Sequence, residues 1–282
     1  MATERLTSYA RDTLTFDVVD DGPLDGDPVV LLHGFPERAS SWRHVTPLLH
    51  EHGLRTYAPD QRGYSPGARP AHRWSYRIQD LVADVAALID QIGTPVHLVG
   101  HDWGAAVGWA TAARHPDLVR TWTAVSVPHP AAFTRALLTS RQAQKSWYML
   151  AFQLPWLPER QADAFPDALG KGGMSSEEVD RFRAEILGDG ALPTALMWYR
   201  AIPFGDPRVW SRAVRVPTAF VWSDGDVAVE RAGGRHNPRY VDAPYQHVEL
   251  AGVTHWIPTQ APDRLVQAIL DRIDDPTADE RP

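Results

Sequence analysis

The chain has no cysteine, no long apolar run and no block of basic residues. With no Cys among its 282 residues, it can form neither disulfides nor thiolate metal sites, and a cysteine nucleophile is excluded. No segment approaches the ~18 uninterrupted apolar residues needed to cross a bilayer, and residues 1–16 lack the apolar centre of a signal peptide. We therefore expect a cytoplasmic protein whose chemistry depends on oxygen and nitrogen groups.

Acidic residues outnumber basic ones, and the net charge is −7 at pH 7. Lys and Arg are scattered along the chain, so nothing in their distribution predicts attraction to nucleic acid or to an anionic membrane. Hydrophobic residues make up 44% of the chain, enough for a packed interior. We expect a globular protein whose partner is a small molecule; a monomer and a homodimer are both compatible with the sequence.

Short β-branched runs bounded by turn residues alternate with helical patterns. The predicted strands are Thr13–Val19, Val29–His33, Leu54–Pro59, Val96–Gly100, Val119–Ser126, Thr218–Ser223 and Tyr245–Leu250. The predicted helices are Ser41–Glu51, Tyr76–Ile92, Trp103–His115 and Ala261–Ile273. This alternation predicts an α/β fold with a mainly parallel sheet covered by helices on both faces.

The alternation stops after Val127 and resumes at about Val216. The stretch between is rich in Pro, Trp and helix signals, including a capping box at Ser175 and Glu178 that opens a helix to Leu187. A second helix is predicted from Pro193 through Ala201. We predict an inserted helical lid over residues 128–212 and a core formed by residues 1–127 and 213–282, with residues 274–282 as a frayed tail.

An apolar strand at residues 96–100 runs directly into the pattern G-x-D-x-G, formed by Gly100, Asp102 and Gly104. This is a nucleophile elbow with Asp where serine hydrolases have Ser. The two glycines let strand and helix approach at a strained turn, and the positive end of the following helix favours an ionised carboxylate. An ordinary helix N-cap is the alternative role for Asp102, but it does not explain both glycines.

Two further segments predict the partners of such a nucleophile. The second predicted strand runs into His33, Gly34, Phe35 and Pro36, a loop that in elbow hydrolases supplies one oxyanion N–H, here from Phe35; Trp103 supplies the other. An ordinary Gly-Pro turn is the alternative, and Pro36 suggests a cis or otherwise fixed bond.

The acid and the base are expected after later strands, in that order. Asp224 and Asp226 both follow the strand that ends at Ser223, and His255 precedes the last helix. We interpret His115, His236 and His247 as structural or solvated. Because residues four apart on a strand do not converge, His97 and His101 predict no metal site.

These residues resemble the soluble epoxide hydrolases of the α/β-hydrolase fold, over about residues 13–273. The family's H-G-x-P appears as residues 33–36 and its G-x-D-W-G as residues 100–104. The family's acid maps better onto Asp226 than onto Asp224, which remains a rival, and its histidine, in a G-x-x-H-W context, maps onto His255.

Two lid tyrosines strengthen the resemblance. Tyr148 lies in a Y-x-x-x-F-Q context and Tyr199 in a W-Y-R context, and both contexts resemble those of the tyrosines that bind the epoxide oxygen in the family. Aromatic packing within the lid is the alternative role for each. The sequence departs from the family at residues 63–67, where GYSPG stands in place of Gly-Tyr-Gly-x-Ser.

The resemblance implies that Asp102 attacks an epoxide carbon to form an ester, while Tyr148 and Tyr199 donate hydrogen bonds to the epoxide oxygen. His255, oriented by Asp226, would then activate water to release a vicinal diol. The resemblance implies a small apolar epoxide and water as the reactants, with no metal and no organic cofactor.

Two rival functions remain open. A haloalkane dehalogenase shares the fold, the Asp nucleophile and the following Trp, but needs a second N–H donor for halide. Lid tryptophans could supply that donor, and the candidates are Trp147, Trp156, Trp198 and Trp210. A non-catalytic ligand-binding relative is the other rival, against which the complete set of Asp102, Asp226 and His255 argues.

Overall fold

The computed structural model describes residues 4–281 and contains an eight-stranded sheet. Residues 1–3, which begin the N-terminal stretch considered above, and Pro282 lie outside the described residues. The strands are β1 (Ser8–Arg11), β2 (Leu14–Asp21), β3 (Asp27–Leu32), β4 (Leu54–Pro59), β5 (Val96–His101), β6 (Val119–Val125), β7 (Thr218–Gly225) and β8 (Tyr245–Thr254). Their order in the sheet is β1-β2-β4-β3-β5-β6-β7-β8.

Strands β3 to β8 pair in parallel, and β1 and β2 form an antiparallel edge. Every predicted strand is present, but β1 was missed. Its four residues, SYAR, carry no β-branched run, and the strand forms by pairing with β2 across a tight turn at Asp12, whose φ is +55°. Hydrogen bonding to β2 thus stabilises a strand whose own sequence has little β propensity.

Helices cover both faces of the sheet. In chain order the core contains α1 (Thr46–Glu51), α2 (Ile78–Ile92) and α3 (Trp103–Arg114), with short 3₁₀ helices at Ala39–Trp42, Pro66–Ala68 and Arg73–Tyr76. Along β3, Val30 and Leu32 pack with α2 and α3 on one face, while Val29 and Leu31 pack with α1 on the other. The buried parallel strands are therefore apolar on both faces, as a doubly covered sheet requires.

The segment between β6 and β7 is helical. It contains α4 (Pro130–Thr139), α5 (Gln142–Lys145), α6 (Trp147–Ala151), α7 (Leu157–Arg160), α8 (Phe165–Lys171), α9 (Ser176–Phe182), α10 (Leu192–Ala195), α11 (Met197–Ala201) and α12 (Pro207–Ser211). Short 3₁₀ turns at Ala162–Ala164 and Ile202–Phe204 and a π-helix at Arg183–Leu187 complete it. Ser175 accepts a hydrogen bond from the Glu178 amide at 3.2 Å, which confirms the predicted start of α9.

The chain after β7 contains α13 (Arg231–His236), a 3₁₀ turn at Asn237–Tyr240, α14 (Ile257–Gln260) and α15 (Pro262–Asp274). The predicted frayed tail is wrong for the described residues after α15. Glu280 donates its amide to the Tyr245 carbonyl at 2.7 Å, and Arg281 donates to the Ala243 carbonyl at 2.6 Å. No helix within residues 4–281 combines the length and the apolar character that crossing a membrane would require.

Two predicted helices are interrupted. The one expected at Ser41–Glu51 divides into the 3₁₀ turn Ala39–Trp42 and α1, and Pro47 lies in the first turn of α1, where a missing N–H is tolerated. The one expected from Pro193 divides into α10 and α11 at Leu196.

Candidate active site

Asp102 lies between β5 and α3 with φ +50° and ψ −117°, a conformation that is strained for any residue with a side chain. Its surroundings leave the backbone no alternative. A Cβ on Gly100 would overlap the Gly104 carbonyl, and a Cβ on Gly104 would overlap the Leu32 carbonyl of β3. The glycines of the elbow are therefore required because strand, helix and neighbouring strand meet there at backbone contact.

The loop after β3 reaches the Asp102 carboxylate. The Phe35 amide donates to Asp102 Oδ1 at 2.8 Å, and the Phe35–Pro36 peptide is cis. A Cβ on Gly34 would stand 2.5 Å from Asp102 Cβ, so only glycine allows this approach. The prediction of a fixed Pro36 bond is confirmed.

His33 holds the same loop through two hydrogen bonds. Its Nε2 accepts the Gln61 amide at 3.0 Å, and its Nδ1 lies 2.9 Å from the Gly34 carbonyl, to which it can donate. Burial lowers the pKa of His33 to about 4, so the ring stays neutral and can serve as donor and acceptor at once.

His255 lies between two carboxylates. Its Nδ1 is 2.8 Å from Asp226 Oδ2, and its Nε2 is 3.5 Å from Asp102 Oδ2. The other oxygen of Asp226 accepts the amides of Ala228 and Val229, each at 2.8 Å, which fixes the carboxylate plane. Asp224 instead is exposed and accepts the Gly252 amide at 2.8 Å, so the structure brings Asp226 and not Asp224 to His255.

The charges of this group are mutually stabilising. Burial opposes the charged form of His255, but Asp226 and Asp102 raise its pKa well above the usual value. Burial likewise raises the pKa of Asp102, but the hydrogen bond and charge of His255 outweigh it, and the net shift is downward. Both shifts favour an ionised Asp102 facing a protonated His255.

Asp102, Tyr148 and Tyr199 line one cavity of about 570 Å³. Asp102 is the only charged residue among the described residues that line it, and its walls include Phe133, Leu137, Met149, Ile202, Trp210 and Val229. The Tyr148 and Tyr199 ring centroids are 6.2 Å apart, and Tyr199 also meets the Trp103 ring edge-on at 5.0 Å. Burial raises the pKa of both phenols, so each keeps its proton and can donate it.

A hydrogen-bonded group behind His255 was missed at the sequence level. His101 Nε2 lies 2.9 Å from the His255 carbonyl oxygen, and its Nδ1 lies 3.1 Å from Glu37 Oε2. The Ser126 hydroxyl donates to the same carbonyl at 3.1 Å. Glu37 and His101 are both buried. The only available signal was that Glu37 and His101 lie near the carboxyl ends of two strands, and these strands, β3 and β5, are neighbours in the sheet.

The loop at residues 63–67, where the sequence departs from the family pattern, packs against the helical segment between β6 and β7. Thr194 donates to the Gly63 carbonyl at 2.6 Å, and the buried Tyr64 ring meets the rings of His33 and Trp198 edge-on. This loop therefore supports the helix that carries Tyr199 from outside the cavity.

The four tryptophans considered as halide donors lie in different environments. Trp147 and Trp156 are 68% and 70% exposed, and Trp198 donates its indole N–H to the Arg62 carbonyl at 2.7 Å. Only Trp210 of the four lines the cavity. The dehalogenase alternative thus loses three of its four candidate donors.

One group within residues 4–281 has ligand atoms close enough to hold a metal ion, namely His44, Glu177 and Glu178, within 4.8 Å of one another. None of them lines the cavity, and both glutamates are ion-paired with Arg43. His97 is held by Thr121 at 2.8 Å and does not join His101.

Comparison with known proteins agrees with this geometry. The model of the alpha/beta hydrolase fold family matches residues 27–258. The AB hydrolase superfamily protein YfhM of Bacillus subtilis is 34% identical over 270 residues, covering 92% of this chain and 94% of that protein. Epoxide hydrolase A of Mycobacterium tuberculosis is 30% identical, covering 95% of this chain and 96% of that protein.

A solved structure, epoxide hydrolase A from Mycobacterium thermoresistibile, superposes with a TM-score of 0.78 at 27% identity, covering 95% of this chain and 98% of that chain. The chain therefore belongs to the α/β hydrolase fold family. Within that family it belongs with the epoxide hydrolases, which confirms the fold class and the resemblance predicted from the sequence motifs.

Proposed function

We propose that this protein hydrolyses apolar epoxides to vicinal diols through an ester of Asp102. The observation that carries the proposal is the chain of contacts from Asp226 through His255 to Asp102, which ends in an apolar cavity shared with two protonated tyrosines. The names of the relatives support the same reaction.

In the first half-reaction, Asp102 Oδ2 attacks an epoxide carbon while the carbon–oxygen bond of the ring breaks. The other carboxylate oxygen already accepts the Phe35 amide at 2.8 Å, so it becomes the ester carbonyl. Tyr148 and Tyr199 donate to the departing oxygen, and one of them supplies its proton. A carboxylate suits this step because the ester it leaves has a carbonyl that water can attack.

In the second half-reaction, His255 removes a proton from water, and the resulting hydroxide adds to the Asp102 carbonyl carbon. The Phe35 and Trp103 amides stabilise the oxyanion; Trp103 opens α3, where backbone N–H groups have no partner inside the helix. Collapse of this intermediate breaks the ester bond, the departing alkoxide takes the proton of the newly formed Asp102 carboxyl group, and the diol leaves with its second oxygen from Asp102.

Esterification also changes the charge around His255. The resting pKa of His255 is raised by both Asp226 and Asp102. When Asp102 becomes a neutral ester, one of these two charges disappears and the His255 pKa falls. The ring then releases its proton, which restores the phenol that protonated the departing oxygen, and the neutral His255 becomes a base at the step that needs one.

The cavity favours neutral, bulky substrates. Among its described lining residues, Asp102 carries the only charge, and aromatic and aliphatic side chains form most of the wall. We also infer that residues 128–212 act as a lid domain on a core of residues 1–127 and 213–282, because Tyr148 and Tyr199 come from this segment and Asp102 from the core. A cytoplasmic location stays a prediction.

A panel of styrene-type and aliphatic epoxides, with bromoalkanes of matched size, tests the function. We expect diol formation from epoxides and no release of bromide. Bromide release without diol formation would instead support the dehalogenase function, and binding without turnover of any compound would support a non-catalytic role.

A further inference from the structure

A short stretch of the lid exposes large apolar side chains. We define the lid patch as five of them, with exposed fractions of 68% (Trp147), 75% (Leu150), 49% (Leu154), 70% (Trp156) and 42% (Leu157). The two tryptophans alone expose on the order of 200–350 Å², given the ~150–250 Å² that aromatic side chains present. The largest exposed apolar patch on a protein surface is often functional.

None of the five lines the substrate cavity, so substrate binding does not explain their exposure. The apolar surface also continues beyond the patch, because Trp74, which is 51% exposed, faces Trp156 across a cleft whose lining includes Pro155 and Met197.

The charges around the lid patch are one-sided. Arg135, Arg141 and Arg160 are exposed, and none forms an ion pair with any residue in the described range 4–281. Between Asp117 and Asp163 the sequence contains one acidic residue, Glu159. The Glu159 carboxylate is taken by Arg200, at 2.6 and 3.0 Å. Along the sequence the patch is thus flanked by Arg141 and Arg160, which have no ion-pair partner among residues 4–281, and the next acid is the exposed Asp163.

Exposed Trp and Leu side chains flanked by Arg are typical of protein surfaces that bind to lipid headgroups. We propose that the lid patch docks this protein on an anionic lipid surface. A second copy of the chain would bring the same uncompensated cations to the interface, so charge favours lipid over self-association. The scattered basic residues predicted no attraction to an anionic membrane. The proposal revises that expectation, because acidic residues are nearly absent between Asp117 and Asp163.

The position of the patch gives docking a use. Phe133, Thr134 and Leu137 of α4 line the cavity, and on the same helix Leu138 is 83% exposed. Arg141 follows that helix by two residues. Docking would therefore bring the cavity close to a phase in which apolar epoxides dissolve. This use rests on the proposed function, whereas the docking itself does not.

Sedimentation with lipid vesicles tests the proposal on the full chain. The vesicles contain phosphatidylcholine alone or with about a third phosphatidylglycerol. We expect wild type to bind the anionic vesicles and to bind the neutral ones far less, since each cation at an anionic surface strengthens binding roughly fivefold. Arg141→Gln/Arg160→Gln should weaken anionic binding by roughly tenfold or more, and Trp147→Ser/Trp156→Ser should abolish it.

Leu24→Ser is the control, because Leu24 is 45% exposed and precedes the amino end of β3, whereas the elbow follows the carboxyl end of the parallel strand β5, and this variant should bind as wild type does. A circular-dichroism spectrum and a thermal unfolding curve matching those of wild type check that each variant is folded. Asp102→Ala should bind vesicles normally, which separates docking from the proposed reaction. The proposal is overturned if wild type does not bind anionic vesicles or if the Trp variant still binds them. It is also overturned if wild type is a dimer and the Trp variant is a monomer.

Discussion

The two walls of the cavity are built differently. On the core side, Asp102 is fixed by backbone contacts among β3, β5 and α3, which leave no space for a single Cβ at Gly34, Gly100 or Gly104. On the lid side, Tyr148 and Tyr199 lie on helices of five residues each, held by aromatic contacts and by side-chain hydrogen bonds such as that of Trp198 to the Arg62 carbonyl. Backbone contacts tolerate almost no displacement, whereas aromatic packing can adapt to a neighbour of changed size.

The contrast implies a division of roles. In the proposed mechanism, the core wall determines which bond is made and broken, and the lid wall determines which epoxide is held there and how its oxygen is stabilised. Substitutions on the core side should therefore stop individual chemical steps, and substitutions on the lid side should reduce rates more moderately and alter substrate preference.

The largest effect is expected at the core wall. Asp102→Ala should lower diol formation by roughly 10⁴-fold or more, because no ester can form. His255→Gln should instead let the ester form and stop its hydrolysis, a loss of ~10²–10⁴ in turnover. Intact-protein mass after mixing with epoxide separates the two: we expect added substrate mass on His255→Gln and none on Asp102→Ala. Added mass on both would mean that another residue is the nucleophile.

The pH dependence of ester hydrolysis tests the charge account. The rate should rise with pH through the His255 pKa of the ester state, since only the neutral ring accepts a proton. Asp226→Asn removes the remaining carboxylate, so the His255 pKa should fall and this rise should move to lower pH. The plateau should also fall, by up to ~10⁴-fold, since the ring loses its orienting acceptor. Stopped-flow measurement of ester decay against pH would show both changes, and an unmoved or upward-shifted profile would contradict them.

The lid wall should give smaller losses. Tyr148→Phe and Tyr199→Phe should each slow ester formation roughly 10- to 100-fold, less than the ~10²–10³ of a lone oxyanion donor, because the other hydroxyl remains. Single-turnover kinetics should show slower ester formation with ester hydrolysis unchanged. Trp210→Phe, which alters the same cavity without removing a phenol, is the control and should change substrate preference more than rate. Equal slowing of both half-reactions by the Tyr variants would break the proposed division.

The smallest expected effect concerns the positioning residue Glu37. Glu37 does not line the cavity, and its carboxylate contacts His101, which in turn contacts the His255 carbonyl. Glu37→Ala should lower kcat about fivefold, the worth of one hydrogen bond of ~1 kcal/mol, with KM unchanged. Glu37→Gln keeps an acceptor and should restore most of the loss. If Gln and Ala behave alike, or KM changes instead, Glu37 has only a structural role.

Local sequence predicted the core wall well, because its requirements are local. Two glycines flanking one Asp after a buried strand are explained only by a turn with strand and helix in contact, and the elbow at Asp102 has that form. The same kind of pattern left Asp224 and Asp226 unresolved, since both follow β7. Burial decides between them: Asp226 is 2% exposed and reaches His255, while Asp224 is exposed to solvent.

Features that depend on neighbours far along the chain were missed. Glu37 and His101 are 64 residues apart and meet only because β3 and β5 are adjacent in the sheet. The ordered tail was missed for the same reason, since Glu280 is fixed by Tyr245 of β8. The excess of positive charge on the lid surface was also missed, because the sequence does not show which charged residues form ion pairs. Glu159, for example, is paired with Arg200.

A single turnover in heavy-oxygen water, with enzyme in excess over epoxide, tests the central claim most directly. The account predicts that the first diol carries only light oxygen, because its new hydroxyl comes from Asp102, and that the heavy oxygen is found in the Asp102 carboxylate. Heavy oxygen in that first diol, with an unlabelled Asp102, would show direct hydration and contradict the ester mechanism.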